Sequence, residues 1–454
     1  MTVSLAETAT PARTSVASPA AGSPLPIVQR ALAVLMRPAA LGILGQATLS
    51  AANFVTAVLI GRACGDEGLG VYSLAMGCVL IGIGVQVELT SSPYHVYCIR
   101  RRGSALARYT GSVLMHQVVL TAFLMLAGTA VLAATGQLSK LLPVLGTLLW
   151  AAPLLMTREF LRQMTFARLR LGLSVLLDLA AAVVQVSLVA SLWLAGWLQP
   201  RFGLMAAAAG GATMLAIWLT RNRREVALRG RHAWLHWRRN WSFGRWTVAT
   251  YLVGSTLPFL MPWALAAWHA VDAAGQLAAC NNLIGLSYMF TTGIANALTG
   301  QAARDFRTGG RQQLQQRLRQ AAGVIVVVLV PFIGGVAWLG NWAIEFVNGP
   351  EFAGLGTVSM VVACGVLATG LSMVAGNGLW AIERPQDGFI ADVVTLAVAA
   401  LAAVWLVPKH AVLGAALATL AGQSAGMVVR LVCLRRSLAR LPASRPSQRQ
   451  EGQR

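Results

Sequence analysis

Residues 39–60 read AALGILGQATLSAANFVTAVLI, and residues 68–87 read GLGVYSLAMGCVLIGIGVQV. Neither run contains a charged residue, and each can cross the ~30 Å hydrocarbon core of a membrane, which takes about 20 residues of helix. The turn between them, residues 61–67, is too short to fold by itself. This stretch predicts a transmembrane hairpin, and much of the remaining chain repeats its pattern.

The overall composition agrees with a membrane protein. The 454 residues are 56% hydrophobic and 11% charged, and the mean hydropathy is +0.64. A net charge of +21 could indicate a nucleic-acid partner, but the basic residues fall in short loops between apolar runs, so we predict no such partner. The six cysteines form no CxxC pair, and we therefore expect no disulfide framework, metal site or cofactor.

Apolar runs of this kind predict twelve spans along the chain. They cover residues 39–60, 69–90, 111–134, 141–157, 173–198, 203–220, 246–268, 276–300, 321–343, 355–378, 389–407 and 411–433. The predicted fold is an all-α polytopic membrane protein with about 12 transmembrane helices, arranged in two pseudo-symmetric six-helix lobes.

The loops between these spans differ sharply in their basic residues. Loops and tails on the side of both termini hold 32 lysines and arginines, whereas the other side holds only Arg62, Lys140, Arg201 and Lys409. Because basic residues are enriched in cytoplasmic loops, both termini are predicted to be cytoplasmic. A miscounted span would invert every later loop and destroy this asymmetry.

Short motifs recur in the same order in both halves of the chain. An offset of 205 residues aligns Gly70 with Gly275, and an offset of 212 residues aligns Gly210 with Gly422. Secondary transporters often use two parallel halves to build a central site. The predicted organisation is a disordered N-terminal tail with an interfacial helix (1–37), an N-lobe (38–220), a basic cytoplasmic loop (221–245), a C-lobe (246–433) and a basic cytoplasmic tail (434–454).

The first hairpin resembles a known family. Leu59-Ile60-Gly61-Arg62, followed by Gly65-Asp66-Glu67 and Gly70-x-Tyr72-Ser73, is similar to the first hairpin of bacterial polysaccharide flippases of the O-antigen type. These proteins belong to the multidrug/oligosaccharidyl-lipid/polysaccharide exporter superfamily. Gly349-Pro350-Glu351-Phe352 before span ten and Gly414 to Thr419 in span twelve also resemble the family.

This resemblance implies a transporter of the bacterial inner membrane that flips a polyprenyl-pyrophosphate-linked oligosaccharide by alternating access, for surface or exopolysaccharide assembly. The implied partners are the lipid-linked oligosaccharide, membrane lipids and other glycan-assembly proteins. A multidrug-type cation-coupled antiporter of the same superfamily is the alternative. An enzyme is not expected, because the predicted outer loops are too short for a catalytic domain.

Polar side chains within the predicted spans are candidates for lining a transport cavity. Such groups are costly in lipid, so they usually face a bundle interior or water. We predict that they bind the hydroxyl-rich glycan, and hydrogen bonding between helices is the alternative role. The candidates are Gln46, Asn53, Gln86, Asn281, Tyr288 and Thr292.

Three arginines lie at the predicted inner ends of spans two, four and seven, where a pyrophosphate would arrive. They are Arg100, Arg158 and Arg245. Arginine can bind phosphate oxygens in a bidentate manner, so we predict that at least one contacts the substrate. The alternative is that all three serve only topology and lipid headgroups.

Acidic residues are few in the predicted spans. Glu88 lies where span two turns polar and is the predicted ion-coupling residue, unless it marks only the inner membrane boundary. Asp178 and Asp392 each follow an arginine by eight residues. We predict that they pair with these residues, Arg170 and Arg384, along their own helices.

Overall fold

A computed structural model describes residues 38–222, 226–228 and 233–440. All regular secondary structure in these ranges is helical. The α-helices are Pro38–Gln86, Ser92–Cys98, Gly103–Ala134, Leu142–Ala167, Leu171–Leu194, Pro200–Asn222, Ala233–Gly254, Leu257–Trp268, Val271–Asn348, Gly356–Ala381 and Pro385–Ala439, with a π-turn at Val87–Ser91 and 3-10 turns at Leu138–Leu141 and Pro350–Phe352. The predicted tail 1–37 and the end of the predicted tail 434–454 lie outside the described residues.

Three of these helices are too long for one membrane crossing. The candidate spans Leu44–Cys98, Ser287–Asn348 and Pro385–Ala439 contain 55, 62 and 55 residues, which at 1.5 Å per residue exceed the ~30 Å hydrocarbon core more than twofold. The backbone is non-helical with a positive φ at one residue in each long helix. These residues are Gly65 (69°) in Pro38–Gln86, Gly310 (63°) in Val271–Asn348 and Ala411 (45°) in Pro385–Ala439.

Contacts across these three residues show that the chain reverses there. Arg317 Nε lies 2.6 Å from Asp305 Oδ2, although residues twelve apart would be separated by about 18 Å in a straight helix. A Cβ atom on Gly61 would lie 3.5 Å from Leu69, across Gly65, and one on Gly414 would overlap the carbonyl oxygen of Leu406, across Ala411. Each long helix is therefore a helical hairpin.

Twelve spans result from these reversals. By length and composition, the described residues contain eight helices able to cross a membrane, or nine when the bent pair Ala233–Gly254 and Leu257–Trp268 is counted as one. Dividing the three hairpins raises this number to the twelve predicted. We number the spans in chain order; they begin at residues 38, 66, 103, 142, 171, 200, 233, 271, 311, 356, 385 and 412.

Several span boundaries differ from the sequence prediction. Span four continues to Ala167, whereas the prediction ends it at residue 157, so Arg158 lies within the helix and not at its end. Helix Ala233–Gly254 forms the start of span seven and includes residues 233–245 of the predicted basic loop. Span seven bends by 51° between its two helices, just before Pro258, whose ring fits the first turn of the second helix.

The two halves of the chain meet at a reciprocal contact between spans two and eight. A Cβ atom on Gly70 would overlap the carbonyl oxygen of Val271, and one on Gly275 would overlap the carbonyl oxygen of Asp66. The offset of 205 residues that aligns Gly70 with Gly275 also aligns Asp66 with Val271. Both halves thus contribute the same positions, as expected for a pseudo-twofold axis between these spans.

A second pair of close approaches repeats within the halves. A Cβ atom on Gly210 would lie 2.6 Å from the carbonyl oxygen of Ala181, and one on Gly422 would lie 2.6 Å from that of Thr395. The packing of span five on span six is therefore repeated by spans eleven and twelve. These contacts confirm the internal repeat.

The buried apolar clusters show where the two lobes join. We call the end of the bundle that holds residues 38 and 440 the terminal side. On this side the N-lobe has its own cluster, which includes Tyr94, Tyr109, Phe160, Leu177 and Trp218. The C-lobe has a separate one, which includes Leu298, Leu314, Ile325, Leu379 and Leu434. A small cluster in the terminal half links the lobes through span seven, where Val248 and Tyr251 pack on Val85, Leu89 and Leu120. On the opposite side a single cluster includes side chains of both lobes, among them Ile60, Leu69, Leu141, Leu265, Ile344 and Val407.

Candidate functional site

Polar and charged side chains gather inside the N-lobe, between spans one, four and five. We call this group the N-lobe cluster. Its members are Gln46, Asn53, Arg158, Glu159, Arg162, Asp178 and Gln185. The structure thus brings three of the predicted site residues together and adds four that sequence reasoning did not propose for the site.

Arg162 joins span four to span one within this cluster. Its Nε and Nη2 donate to the two carboxylate oxygens of Glu159, each at 3.0 Å, and its Nη1 donates to Gln46 Oε1 at 2.8 Å. Such a bidentate pair is stronger than a neutral hydrogen bond and fixes the guanidinium plane. Glu159 and Arg162 pair inside the bundle, so these charges do not end the helix where the sequence predicts.

Arg158 lies one turn earlier and is only 7% exposed. Its Nη1 donates to Gln185 Oε1 at 3.5 Å, and its buried Nε has no hydrogen-bond partner among the described residues. Gln185 Nε2 donates in turn to Asn53 Oδ1 at 3.1 Å and to Thr56 Oγ1 at 3.0 Å. Arg158 therefore retains hydrogen-bonding capacity that the described protein does not use.

Asp178 is fully buried at 0% exposure, and neither of its carboxylate oxygens has a hydrogen-bond partner within the described ranges. It lies against span one at Gly45, where a Cβ atom would come within 2.5 Å of its Oδ2. The predicted pairing with Arg170 is wrong, because Arg170 Nη1 donates to Asn222 Oδ1 at 2.8 Å. A buried carboxylate without a hydrogen bond is costly and requires a functional or structural reason.

The equivalent carboxylate of the C-lobe has a partner. Asp392 forms an ion pair with Arg430 of span twelve, and Arg430 Nη1 also donates to Ser372 Oγ at 2.7 Å. The predicted pairing of Asp392 with Arg384 is therefore wrong, and Arg384 lies 4.0 Å from Asp387. In both lobes the surroundings of the carboxylate are set by residues of other spans. The spacing of residues along one helix could not predict those contacts.

In span two, Gln86 directly precedes the π-turn Val87–Ser91, and Glu88 lies within it. Gln86 is buried and accepts a hydrogen bond from Gln117 Nε2 of span three at 2.8 Å. Glu88 is half-buried, and Ser92 Oγ donates to its Oε2 at 3.5 Å. The coupling role of Glu88 stays a prediction, while Gln86 makes the interhelical bond that was its alternative role.

The other predicted residues lie away from the N-lobe cluster. Arg100 is exposed at the terminal side. Arg245 is also exposed, but it lies within helix Ala233–Gly254 and not at the predicted end of span seven, and its guanidinium lies 5.5 Å from the ring centroid of Trp246. On span eight, Asn281 and Tyr288 are exposed, and Thr292 Oγ1 donates to the carbonyl oxygen of Tyr288 at 2.9 Å. Substrate binding by these five residues stays a prediction.

The opposite side of the bundle is closed by polar contacts between the lobes. Arg62 Nε donates to the carbonyl oxygen of Val347 at 2.8 Å, and its Nη2 donates to that of Phe346. These carbonyls lie in the last turn of span nine, where a helix leaves acceptors free. Gln276 Nε2 donates to Asp66 Oδ2 at 2.9 Å beside the crossing of spans two and eight.

A family described as "Lipid II flippase MurJ" matches residues 255–446. The match begins at the bend of span seven and extends beyond span twelve, which is less than half of the 454 residues. No curated protein sequence matches the chain.

Solved structures match over most of the chain. An inward-facing multidrug resistance MATE family transporter of the MOP superfamily is 12% identical, with a TM-score of 0.71 over 86% of this chain and 94% of that one. Lipid II flippase MurJ in an inward closed conformation is 13% identical, with a TM-score of 0.68 over 86% of each chain. A MOP superfamily transporter from Pyrococcus furiosus is 12% identical, with a TM-score of 0.61 over 89% of this chain and 95% of that one. The chain therefore has the fold shared by transporters of the MOP superfamily.

Proposed function

We propose that this chain flips a polyprenyl-pyrophosphate-linked oligosaccharide across the bacterial inner membrane by alternating access. The fold shared with transporters of the MOP superfamily supports transport as the activity. The C-lobe match to a family described as a lipid II flippase supports a lipid-linked substrate, and it makes lipid II the competing candidate. The motifs of the first hairpin favour an oligosaccharide.

The observation that carries this proposal is the unequal packing of the two ends of the bundle. The lobes share one large apolar cluster and several polar contacts on the opposite side, whereas on the terminal side each has its own cluster and span seven joins them through a small one. Alternating access requires a central site that is reached from one side at a time, so a bundle locked at one end fits one state of that cycle. Exposed arginines at the terminal side, such as Arg100 and Arg245, complement an anionic pyrophosphate.

Arginine-to-lysine substitutions test the phosphate contact. We expect Arg158→Lys, Arg100→Lys or Arg245→Lys to lower the rate of flipping in reconstituted vesicles by about tenfold, as the loss of one charge-assisted bidentate contact predicts. The largest loss is expected for Arg158→Lys, since Arg158 is buried and its Nε lacks a partner within the described residues. The substitution keeps the positive charge that sets topology but removes the planar guanidinium that can bind phosphate in a bidentate manner.

Arg440→Lys is the matched control, because Arg440 is exposed at the end of span twelve on the same side. It should flip substrate at the wild-type rate. Thermal stability of each purified variant separates a loss of contact from a loss of folding. Wild-type rates for all three lysine variants would contradict a bidentate role for these arginines.

A cation-coupled antiporter is the second candidate function, and the environment of Asp178 favours it. An ionisable residue inside a membrane is a default candidate for a proton or ion pathway. Asp178 is buried and has no hydrogen-bond partner in the described part of the chain, whereas its counterpart Asp392 pairs with Arg430. A flippase can also be coupled to a cation. The two candidate functions are therefore distinguished by the substrate that is transported and not by ion coupling.

A further inference from the structure

The start of span seven carries an aromatic cradle that the transport proposal does not use. Trp234, Trp237, Arg238 and Trp241 line a cavity of about 270 Å³. Their spacing of three, four and seven residues places them on one face of helix Ala233–Gly254. We call this group the tryptophan cradle.

The other face of the same helix fixes the cradle to the N-lobe. Tyr109 donates to Asn240 Oδ1 at 3.1 Å, and a Cβ atom on Gly244 would lie 2.8 Å from the carbonyl oxygen of Glu88. His116 of span three also contacts the cradle, with its ring centroid 5.3 Å from that of Trp237. The cradle is therefore held in place, and its open face is the one that helix packing leaves uncovered.

The open face combines apolar surface with one unpaired charge. Trp234 is 70% exposed and Trp241 is 47% exposed, although tryptophan is usually well buried. Trp237 and Trp241 stack with centroids 6.0 Å apart and form a continuous wall. Arg238 is exposed beside this wall and has no ion-pair partner among the residues that the structure describes.

The position of the cradle indicates what covers it. Span seven begins here on the terminal side, which carries most of the basic residues of the chain and is predicted to be cytoplasmic. Tryptophan rings prefer the headgroup level of a membrane, and anionic lipids of the cytoplasmic leaflet attract nearby arginines. An aromatic pocket can also bind a choline cation, but Arg238 would repel that group.

We propose that the tryptophan cradle binds the headgroup of an anionic phospholipid. Arg238 contacts the lipid phosphate, and the three tryptophans pack against the glycerol backbone and the first part of the acyl chains. The bound lipid would lie on the helix that links the two lobes, beside its contacts with spans two and three.

Native mass spectrometry of the purified full chain tests this proposal. The probes are phosphatidylglycerol and phosphatidylcholine of identical acyl chains at equal concentration. We expect the wild type to retain phosphatidylglycerol preferentially. Arg238→Gln should weaken that binding about fivefold, the effect of one interfacial arginine, and Trp241→Leu should weaken it as well.

Arg239→Gln is the matched control, since the Arg239 guanidinium lies 4.2 Å from the ring centroid of Tyr97 and does not line the cradle. It should bind phosphatidylglycerol like the wild type. Equal losses for Arg238→Gln and Arg239→Gln, or equal binding of the two phospholipids, would overturn the proposal. So would displacement of phosphatidylglycerol by an equimolar polyprenyl phosphate, which would assign the cradle to the transported lipid.

Discussion

Gly275→Ala is expected to reduce flipping by at least about tenfold, the largest loss that we predict for a single methyl group. Overpacking a dense contact costs about 1–3 kcal/mol even when side chains can move. Here the added Cβ atom would overlap the carbonyl oxygen of Asp66 and lie 2.8 Å from the backbone nitrogen of Gly70, and backbone atoms cannot rotate away. Spans two and eight would separate, and the opposite side would lose its closure.

Two measurements check this result. The first is the rate of flipping in vesicles, and the second is labelling of a cysteine placed at Asp272 by an impermeant maleimide, which should become faster as the crossing opens. Gly285→Ala in the same span is the control, because a Cβ atom there would meet no atom within 4 Å. If Gly275→Ala flips substrate as fast as Gly285→Ala, the crossing of spans two and eight is not part of the mechanism.

Asp178→Asn is expected to remove the dependence of transport on a proton or cation gradient while the protein still folds. Asparagine keeps the size of the side chain, so the contact with Gly45 is preserved. It removes the charge of a fully buried group whose oxygens have no hydrogen-bond partner in the described residues. Transport should be measured in vesicles across a series of imposed pH and sodium gradients.

Glu88→Gln is the comparison that decides between the two carboxylates. Glu88 is the coupling residue predicted from the sequence, and it is half-buried beside Ser92. If Asp178 couples transport to the gradient, Glu88→Gln leaves gradient dependence intact. The opposite pattern, with gradient dependence lost in Glu88→Gln and kept in Asp178→Asn, would confirm the coupling role predicted for Glu88. Unchanged dependence in both variants would exclude both residues.

The twelve-span fold could be predicted from the sequence because it follows from local sequence patterns. Apolar runs set the twelve spans, and basic loops fixed their alternation. Gly70 and Gly275 indicated the internal repeat, because only glycine allows two backbones to approach as closely as they do at these positions. The end of span four was misplaced, since Arg158, Glu159 and Arg162 read as a loop until their partners in other spans are known.

The candidate site was harder to predict from the sequence, because its residues come together through contacts between spans that are distant in the chain. Gln46 and Asn53 could be proposed from their polarity alone, whereas Gln185 acquires its role only by lying between Asn53 and Arg158. The pairing of Asp392 with Arg430 likewise joins residues 38 positions apart on different spans. A spacing of eight residues within one helix favoured the wrong arginine in both lobes.

The most direct test of flipping by alternating access uses a protein whose two lobes can be crosslinked on the opposite side of the bundle. Asp66→Cys and Gln276→Cys would replace the pair whose side chains meet at 2.9 Å, in a background without the six native cysteines. The substrate is a fluorescent polyprenyl-pyrophosphate oligosaccharide in reconstituted vesicles. We predict that flipping exceeds that of protein-free vesicles, stops when a short cleavable crosslinker joins the two cysteines, and returns when the crosslinker is cleaved. Flipping that continues at the same rate in the crosslinked protein, or that never exceeds the rate of protein-free vesicles, would contradict the account.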